Sequence, residues 1–107
     1  MSVESSNWNV RHKQIVAEDR RLAILRFLSE EADFAVNDSV MQKALKQIGH
    51  GVAREVVQAD YAFLSDLGLI SIEIVMNKIH VATLTNAGLD VANGVKVVPG
   101  VSRPRPE

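Results

Sequence analysis

At 107 residues, 47% of them hydrophobic and 23% charged, the chain suits one small domain with one core, and this composition excludes a largely disordered protein. The sequence contains no cysteine, which excludes disulfides, thiolate metal sites and a cysteine nucleophile. The formal net charge is −1, whereas a nucleic-acid binder usually carries a basic excess, so basic surface for such a role must come from local clustering.

Residues 1–14 are mostly polar and predict a flexible N-terminal arm. They contain no apolar core of a secretory signal, and no apolar run in the chain approaches the roughly 18–20 residues of a membrane span. We therefore expect a cytoplasmic protein with no membrane partner. The lone Trp8 permits a second interpretation, in which the arm packs on a partner subunit or follows nucleic acid with Arg11, His12 and Lys13.

Residues 15–32 predict the first helix, because apolar side chains recur at helical spacing and charged side chains fill the opposite face. The apolar stripe comprises Ile15, Leu22, Ile24, Leu25 and Leu28. On the other face, Arg20 and Arg21 are interpreted as solvated side chains, with a phosphate clamp as the alternative.

Residues 33–36 predict a connector, or alternatively a first short strand. A second helix is predicted over residues 39–48, capped at its start by Asn37 or Asp38. Its apolar side comprises Val40, Met41, Ala44, Leu45 and Ile48.

The glycine-rich segment at residues 49–51 is typical of the tight turn inside a helix-turn-helix. It leads into a third helix over residues 52–67. The inward positions of this helix share one face: Ala53, Val57, Tyr61 and Leu64. Gly68 follows where a helix commonly ends in a residue with positive φ.

Residues 69–75 and 79–84 are rich in branched aliphatic side chains and predict the two strands of a β-hairpin. Residues 85–92 predict a short final helix capped by Thr85. Residues 95–107 contain all three prolines of the chain, so they predict an extended tail.

These elements together predict an α+β fold of the winged helix-turn-helix type, with three helices, a β-hairpin wing and a short C-terminal helix. The domain is expected to cover residues 15–94, between the arm at 1–14 and the tail at 95–107. The expected core comprises Leu22, Leu25, Leu28, Leu45, Ile48, Val57, Tyr61, Leu64, Leu69 and Leu84.

No pattern in the sequence indicates catalysis, a cofactor or a metal ion. The histidines, His12, His50 and His80, have no second ligand type at a spacing that shares one face. Neither a phosphate-binding glycine loop nor a nucleophile elbow occurs. We therefore expect a protein that is not an enzyme.

A helix-turn-helix places its second helix in the major groove of double-stranded DNA, with the first residues of that helix at the base edges. In this chain Arg54 and Gln58 occupy those positions. The residues expected to hold phosphates are Lys43, Lys46, His50 and Lys78.

The outward face of the third helix favours a protein partner instead. It carries Glu55, Ala59, Ala62 and Asp66, and Asp60 adds a further negative charge to the helix. Carboxylates repel phosphate, and small residues suit contact with another helix. A winged helix that binds protein rather than DNA therefore stays open as an alternative.

We also predict a homodimer. Trp8, Phe63 and the outward alanines are hard to place in one compact core. A two-fold assembly would cover them and would match the symmetry of a palindromic DNA site.

Several blocks of the sequence point to a family when taken together. They are EDRRLAIL at 18–25, LKQIG at 45–49, ADYAFL at 59–64, GLI at 68–70, ATLT at 82–85, GLDVA at 88–92, then Gly94, VPGV at 98–101 and RP at 103–104. The chain resembles the small winged-helix proteins of Mu-like phages and prophages, often labelled ArsR-type transcriptional regulators.

This resemblance covers residues 15–106 and implies a phage-derived, cytoplasmic DNA-binding protein that regulates transcription. The alternative is a winged-helix adaptor in phage morphogenesis or DNA packaging, which would bind a phage protein. Because the chain has no cysteine, the thiolate metal-sensing motif of arsenical repressors is missing, and a metal response is not implied.

Overall fold

Four helices and three short strands make up the computed structural model, which describes residues 3–105, with side chains described from Trp8 onward. The helices are α1 (Val3–Glu30), α2 (Asp38–Gln47), α3 (Arg54–Asp66) and α4 (Asn86–Ala92). The strands are β1 (Ala35–Asn37), β2 (Ile70–Val75) and β3 (Ile79–Leu84). The predicted α+β class is confirmed.

The first helix is longer than the sequence predicted. α1 begins at Val3 rather than at Ile15, so the expected flexible arm is helical wherever it is described; Met1 and Ser2 lie outside the described residues. The segment lacks an apolar repeat, but no glycine or proline interrupts it and several of its residues are good helix formers. Among the described residues, none of the helices combines the length and apolar character needed to cross a membrane.

Local capping explains where the shorter helices begin and end. Asn37 Oδ1 accepts a hydrogen bond from the Val40 N–H at 2.8 Å at the start of α2, and Thr85 Oγ1 accepts from the Gly88 N–H at 3.1 Å at the start of α4. Gly68 follows α3 with φ at +75°. The predicted caps and the predicted helix stop are confirmed.

The three strands form one antiparallel sheet in the order β1–β3–β2. β2 and β3 pair from Ile70 opposite Leu84 to Val75 opposite Ile79, which confirms the predicted hairpin. Its corner uses Met76 and Asn77, both with positive φ, as a type I′ turn requires. β1 pairs with β3 on the other side, so the connector contains the short strand that the sequence left as an alternative.

The core lies between the four helices and the inner side of the sheet, with α4 contributing Val91 and Ala92. Every residue of the expected core is buried except Leu84, which is partly buried, and Ile48, which is 52% exposed. The prediction for Ile48 is wrong because α2 ends at Gln47. Ile48 is the C-cap, with φ −106° and ψ 17°, so it no longer follows the phase of the helix.

Leu64 on α3 is fully buried, so Leu64→Ala should lower the free energy of unfolding by about 2–5 kcal/mol. Urea denaturation followed by circular dichroism measures this loss. The matched control is Leu67→Ala at the exposed end of α3, which should cost less than about 1 kcal/mol. A loss below about half a kcal/mol for Leu64→Ala would contradict the packing described above.

Candidate nucleic-acid interface

Lys43 and Lys46 lie on the exposed side of α2, three residues apart and therefore on one face. They border a groove of about 500 Å³ whose opposite wall is the segment that leads into α3, Gly51 to Ala53. Gln42 Nε2 donates to the Val52 carbonyl oxygen at 3.0 Å and holds that segment against α2. The structure thus brings two ammonium groups beside the start of α3.

The start of α3 adds to this positive potential. The N-cap residue is Ala53, whose side chain offers no acceptor to the first N–H groups of the helix. Those N–H groups carry the positive end of the helix dipole. Arg54, the first residue of α3, is exposed. The two lysines, Arg54 and the first N–H groups of α3 thus lie together, with the acidic Glu55 in the same first turn.

Gln58, one turn after Arg54, is held by a buried carboxylate. Its Nε2 donates to Asp38 Oδ2 at 2.6 Å, and the backbone N–H of His80 on β3 donates to the same oxygen at 3.3 Å. Asp38 is the first residue of α2, so this contact joins α2, α3 and the sheet. The contact with Asp38 therefore fixes the orientation of Gln58, the side chain that was predicted to contact bases.

The electrostatics of Asp38 follow from these contacts. Burial acts to raise the pKa of Asp38, but the hydrogen bonds from Gln58 and from backbone N–H groups outweigh it, and the positive charge of Arg54 adds to them. The net result is a pKa below the ordinary value of 3.8, so the carboxylate is charged at neutral pH. Burial and this negative charge raise the pKa of Tyr61, whose hydroxyl donates to the Val36 carbonyl oxygen at 2.9 Å.

The structure does not bring His50 to the groove beside the two lysines. His50 Nε2 lies 2.8 Å from Asp19 Oδ2 on α1. Its ring borders a different groove, between α1 and the C-terminal tail, together with Arg26, Arg103 and Arg105. Its partner is 31 positions away in sequence, so the local pattern of the turn could not indicate this contact.

Lys78 lies at the corner of the hairpin and is exposed, as a wing contact requires. Its neighbours there are apolar: Ile74, Val75 and Met76 are exposed large hydrophobic side chains. The hairpin corner is therefore a mostly apolar projection with one positive charge.

Asp60 on α3 is buried, which the sequence analysis did not predict. It was counted among the charges that would repel phosphate, yet it is buried and accepts hydrogen bonds from the guanidinium groups of Arg20 and Arg21. The interpretation of these arginines as solvated side chains is wrong, because both are largely buried and both are paired. At about 100° per residue, Asp60 lies about 60° around the helix from the buried Val57. The helical phase of the sequence therefore already placed Asp60 near the inward face of α3.

Arg21 also fastens the C-terminal tail. Its Nη1 donates to the Gly100 carbonyl oxygen at 3.0 Å, and its guanidinium carbon lies 3.9 Å from the centre of the Phe63 ring. Gly100 has φ at +89°, and a Cβ there would lie 2.3 Å from Phe63. Phe63, which was hard to place in one core from the sequence, is therefore partly covered within the chain itself.

The outward face of α3 is as the sequence predicted. Glu55, Ala59, Ala62 and Asp66 are all exposed. With Asp60 buried, the exposed charges of this helix are Arg54 at its start, Glu55 beside it, and Asp66 at its end.

Comparisons with known proteins relate the chain to a bacteriophage. The protein gp26 of Escherichia phage Mu is 42% identical to it over 92 residues, which cover 86% of this chain and 94% of gp26. The chain belongs to the gp26 family. A protein of Haemophilus influenzae strain Rd is 34% identical over 77 residues, covering 72% of this chain and 74% of that protein.

The predicted relation to proteins of Mu-like phages is thereby confirmed. Both relatives are uncharacterized proteins, so membership of the gp26 family brings no activity with it. No protein-family model matches the chain. Any function must therefore be argued from the residues of this gp26-family protein.

Asp60→Asn should lower the free energy of unfolding by about 3 kcal/mol, because it leaves two largely buried guanidinium groups facing a neutral amide. Urea denaturation at neutral pH measures this change. Asp66→Asn, the same replacement at an exposed position of α3, should stay within about half a kcal/mol. Equal effects of the two substitutions would show that the paired arginines do not depend on Asp60.

Proposed function

We propose that this gp26-family protein binds double-stranded DNA through a winged helix-turn-helix and acts as a cytoplasmic transcriptional regulator. The order of elements supports the proposal: α2 and α3 are joined by a short glycine-containing turn, and a β-hairpin follows directly. The strand order β1–β3–β2 also supports it, because the hairpin then projects from the sheet beside the helix pair.

The observation that carries the proposal is the position of Lys43 and Lys46 beside the uncapped start of α3. Phosphate contacts of this kind supply most of the affinity of a DNA-binding protein and fix its register on the duplex. Helix N-termini are common partners of phosphate oxygens. The two lysines and the first N–H groups of α3 would therefore hold one stretch of the DNA backbone.

Base contacts would come from Arg54 and Gln58. Arginine can donate two parallel hydrogen bonds to guanine, and glutamine can pair with adenine. Because one N–H of Gln58 Nε2 donates to Asp38, the second Nε2 N–H and the carbonyl oxygen are the groups left to pair with a base. Lys78 would reach the backbone from the wing, whereas His50 would contact phosphate only after leaving Asp19.

Lys46→Ala should weaken binding to a preferred sequence and to random duplex DNA alike. It should also lower the slope of log binding constant against log salt concentration by about one unit.

Arg54→Ala should reduce the free energy of binding to the preferred sequence by about 1–3 kcal/mol, and that to random DNA by much less. Fluorescence anisotropy over a series of salt concentrations measures both effects, after selection of a preferred duplex from a random pool.

The control is Lys96→Ala, an exposed lysine beyond α4, which removes the same charge away from the groove and should leave the slope unchanged. Absence of binding to random duplex DNA at low salt by the unmodified protein would contradict the proposal outright.

The second candidate is an adaptor in phage morphogenesis or DNA packaging that binds a phage protein. The exposed face of Glu55, Ala59, Ala62 and Asp66 favours it, because small residues allow close approach of another helix. The apolar hairpin corner at Met76 favours it as well, since exposed apolar groups gain from contact with protein.

Glu55→Gln distinguishes the two candidates. It removes a negative charge next to Arg54, so it should strengthen non-specific DNA binding if α3 enters a groove. Glu31→Gln, an exposed glutamate just after α1, is the control and should change nothing. If Glu55→Gln and Arg54→Ala both leave DNA binding unchanged, α3 does not enter a groove of DNA. In that case Ala59→Arg, on the exposed face of α3, should abolish binding of a phage protein partner.

A further inference from the structure

An uncovered apolar stripe runs along the first half of α1. Trp8 is 66% exposed and Ile15 is 56% exposed. They are seven residues apart, so they lie on nearly the same line along the helix. The Trp8 ring stacks on His12, with the ring centres 5.4 Å apart, which holds the indole on this side of α1.

The same line leads to Leu22, seven residues after Ile15, where α1 joins the body of the molecule. Leu22 borders a groove of about 270 Å³ between α1 and the end of α2, whose other apolar walls are Phe27 and the half-exposed Ile48. The stripe therefore has an exposed aromatic side chain at one end and an apolar groove at the other.

Basic side chains precede Ile15 and acidic side chains follow it on the same face of α1. Arg11 and His12 precede it by four and three residues, and Glu18 and Asp19 follow it by three and four. At about 100° per residue, all four lie within about 60° of Ile15 around the helix. A basic end and an acidic end thus share one face, centred on Ile15.

We propose that a second copy of this chain covers this stripe, with the two α1 helices antiparallel and crossing at Ile15. In this arrangement Arg11 faces Glu18 of the partner subunit, and His12 faces Asp19 of the partner subunit. Asp19 already contacts His50 of its own chain through Oδ2, and its side chain is 62% exposed, so it can accept this second contact. Trp8 reaches the groove beside the partner's Leu22, because both positions are about 10 Å from the crossing point at about 1.5 Å per residue. A parallel pair would instead place like charges together.

This interface is the same patch on both subunits, as a two-fold dimer requires. It refines the predicted homodimer, because Phe63 is covered by Arg21 and Gly100 and the outward alanines of α3 stay free for another partner. The proposal does not depend on whether the protein binds DNA.

Sedimentation equilibrium at micromolar concentration tests the stripe. The unmodified protein should sediment at twice the chain mass of 11.8 kDa, and Ile15→Glu should sediment at the mass of one chain. Val10→Glu is the matched control, since Val10 is also 56% exposed but lies about 140° around the helix from Ile15, and it should remain dimeric. A monomeric unmodified protein, or a dimeric Ile15→Glu variant, would overturn the proposal.

Disulfide trapping tests the antiparallel orientation of the two α1 helices. The chain contains no cysteine, so an introduced cysteine can pair only with its copy in the partner subunit. Ile15→Cys places two thiols at the crossing point and should give a covalent dimer under mild oxidation. Trp8→Cys places them about 21 Å apart along the axis, beyond the reach of a disulfide, and should stay uncrosslinked. Crosslinking of Trp8→Cys, or failure of Ile15→Cys, would overturn the antiparallel arrangement.

Discussion

Asp60 is 2% exposed on α3, and its two carboxylate oxygens accept hydrogen bonds from the guanidinium groups of Arg20 and Arg21 on α1. Arg21 extends the contact to the tail through the Gly100 carbonyl oxygen. Burial of an ion pair is costly unless the partners are well satisfied, and here both carboxylate oxygens accept hydrogen bonds from α1. The carboxylate thereby acts together with the buried Val57, Tyr61 and Leu64 to hold α3 in one rotation about its axis.

That rotation decides which surface the molecule offers to a partner. With Asp60 turned toward α1, the side of α3 that faces away carries Glu55, Ala59, Ala62 and Asp66. Arg20 and Arg21 are used inside the chain, so they add nothing to a nucleic-acid surface. The positive charge near α3 therefore comes from α2 and from Arg54. Lys43, Lys46 and Arg54 form this basic end, on a chain whose net charge is −1. A second basic group, Arg26, Arg103 and Arg105, borders the groove between α1 and the tail.

Local signals predicted most of the fold because they act over a few residues. The caps at Asn37 and Thr85 and the stop at Gly68 each depend on neighbours within one helical turn. The start of α1 could not be predicted from apolar spacing, since its first half packs little apolar surface on the core and leaves Trp8 and Ile15 exposed.

The candidate site was predicted less well, because its contacts join distant parts of the sequence. Lys43 and Lys46 could be placed by helical phase alone. The pairings of Asp60 with Arg20 and of His50 with Asp19 span 40 and 31 positions, and no periodic pattern encodes them. A count of charges along α3 therefore included Asp60 among its negative charges without indicating that it is buried.

An NMR titration of the ¹⁵N-labelled protein with a random-sequence DNA duplex at low salt tests whether the basic end of the molecule binds DNA. Binding through the basic end should shift the amide signals of Lys43, Lys46 and residues 51–54 first, with smaller changes at the hairpin corner around Lys78. Signals that remain unchanged throughout, or changes confined to the Trp8–Leu22 stretch of α1, would contradict the assignment of this end of the molecule to DNA.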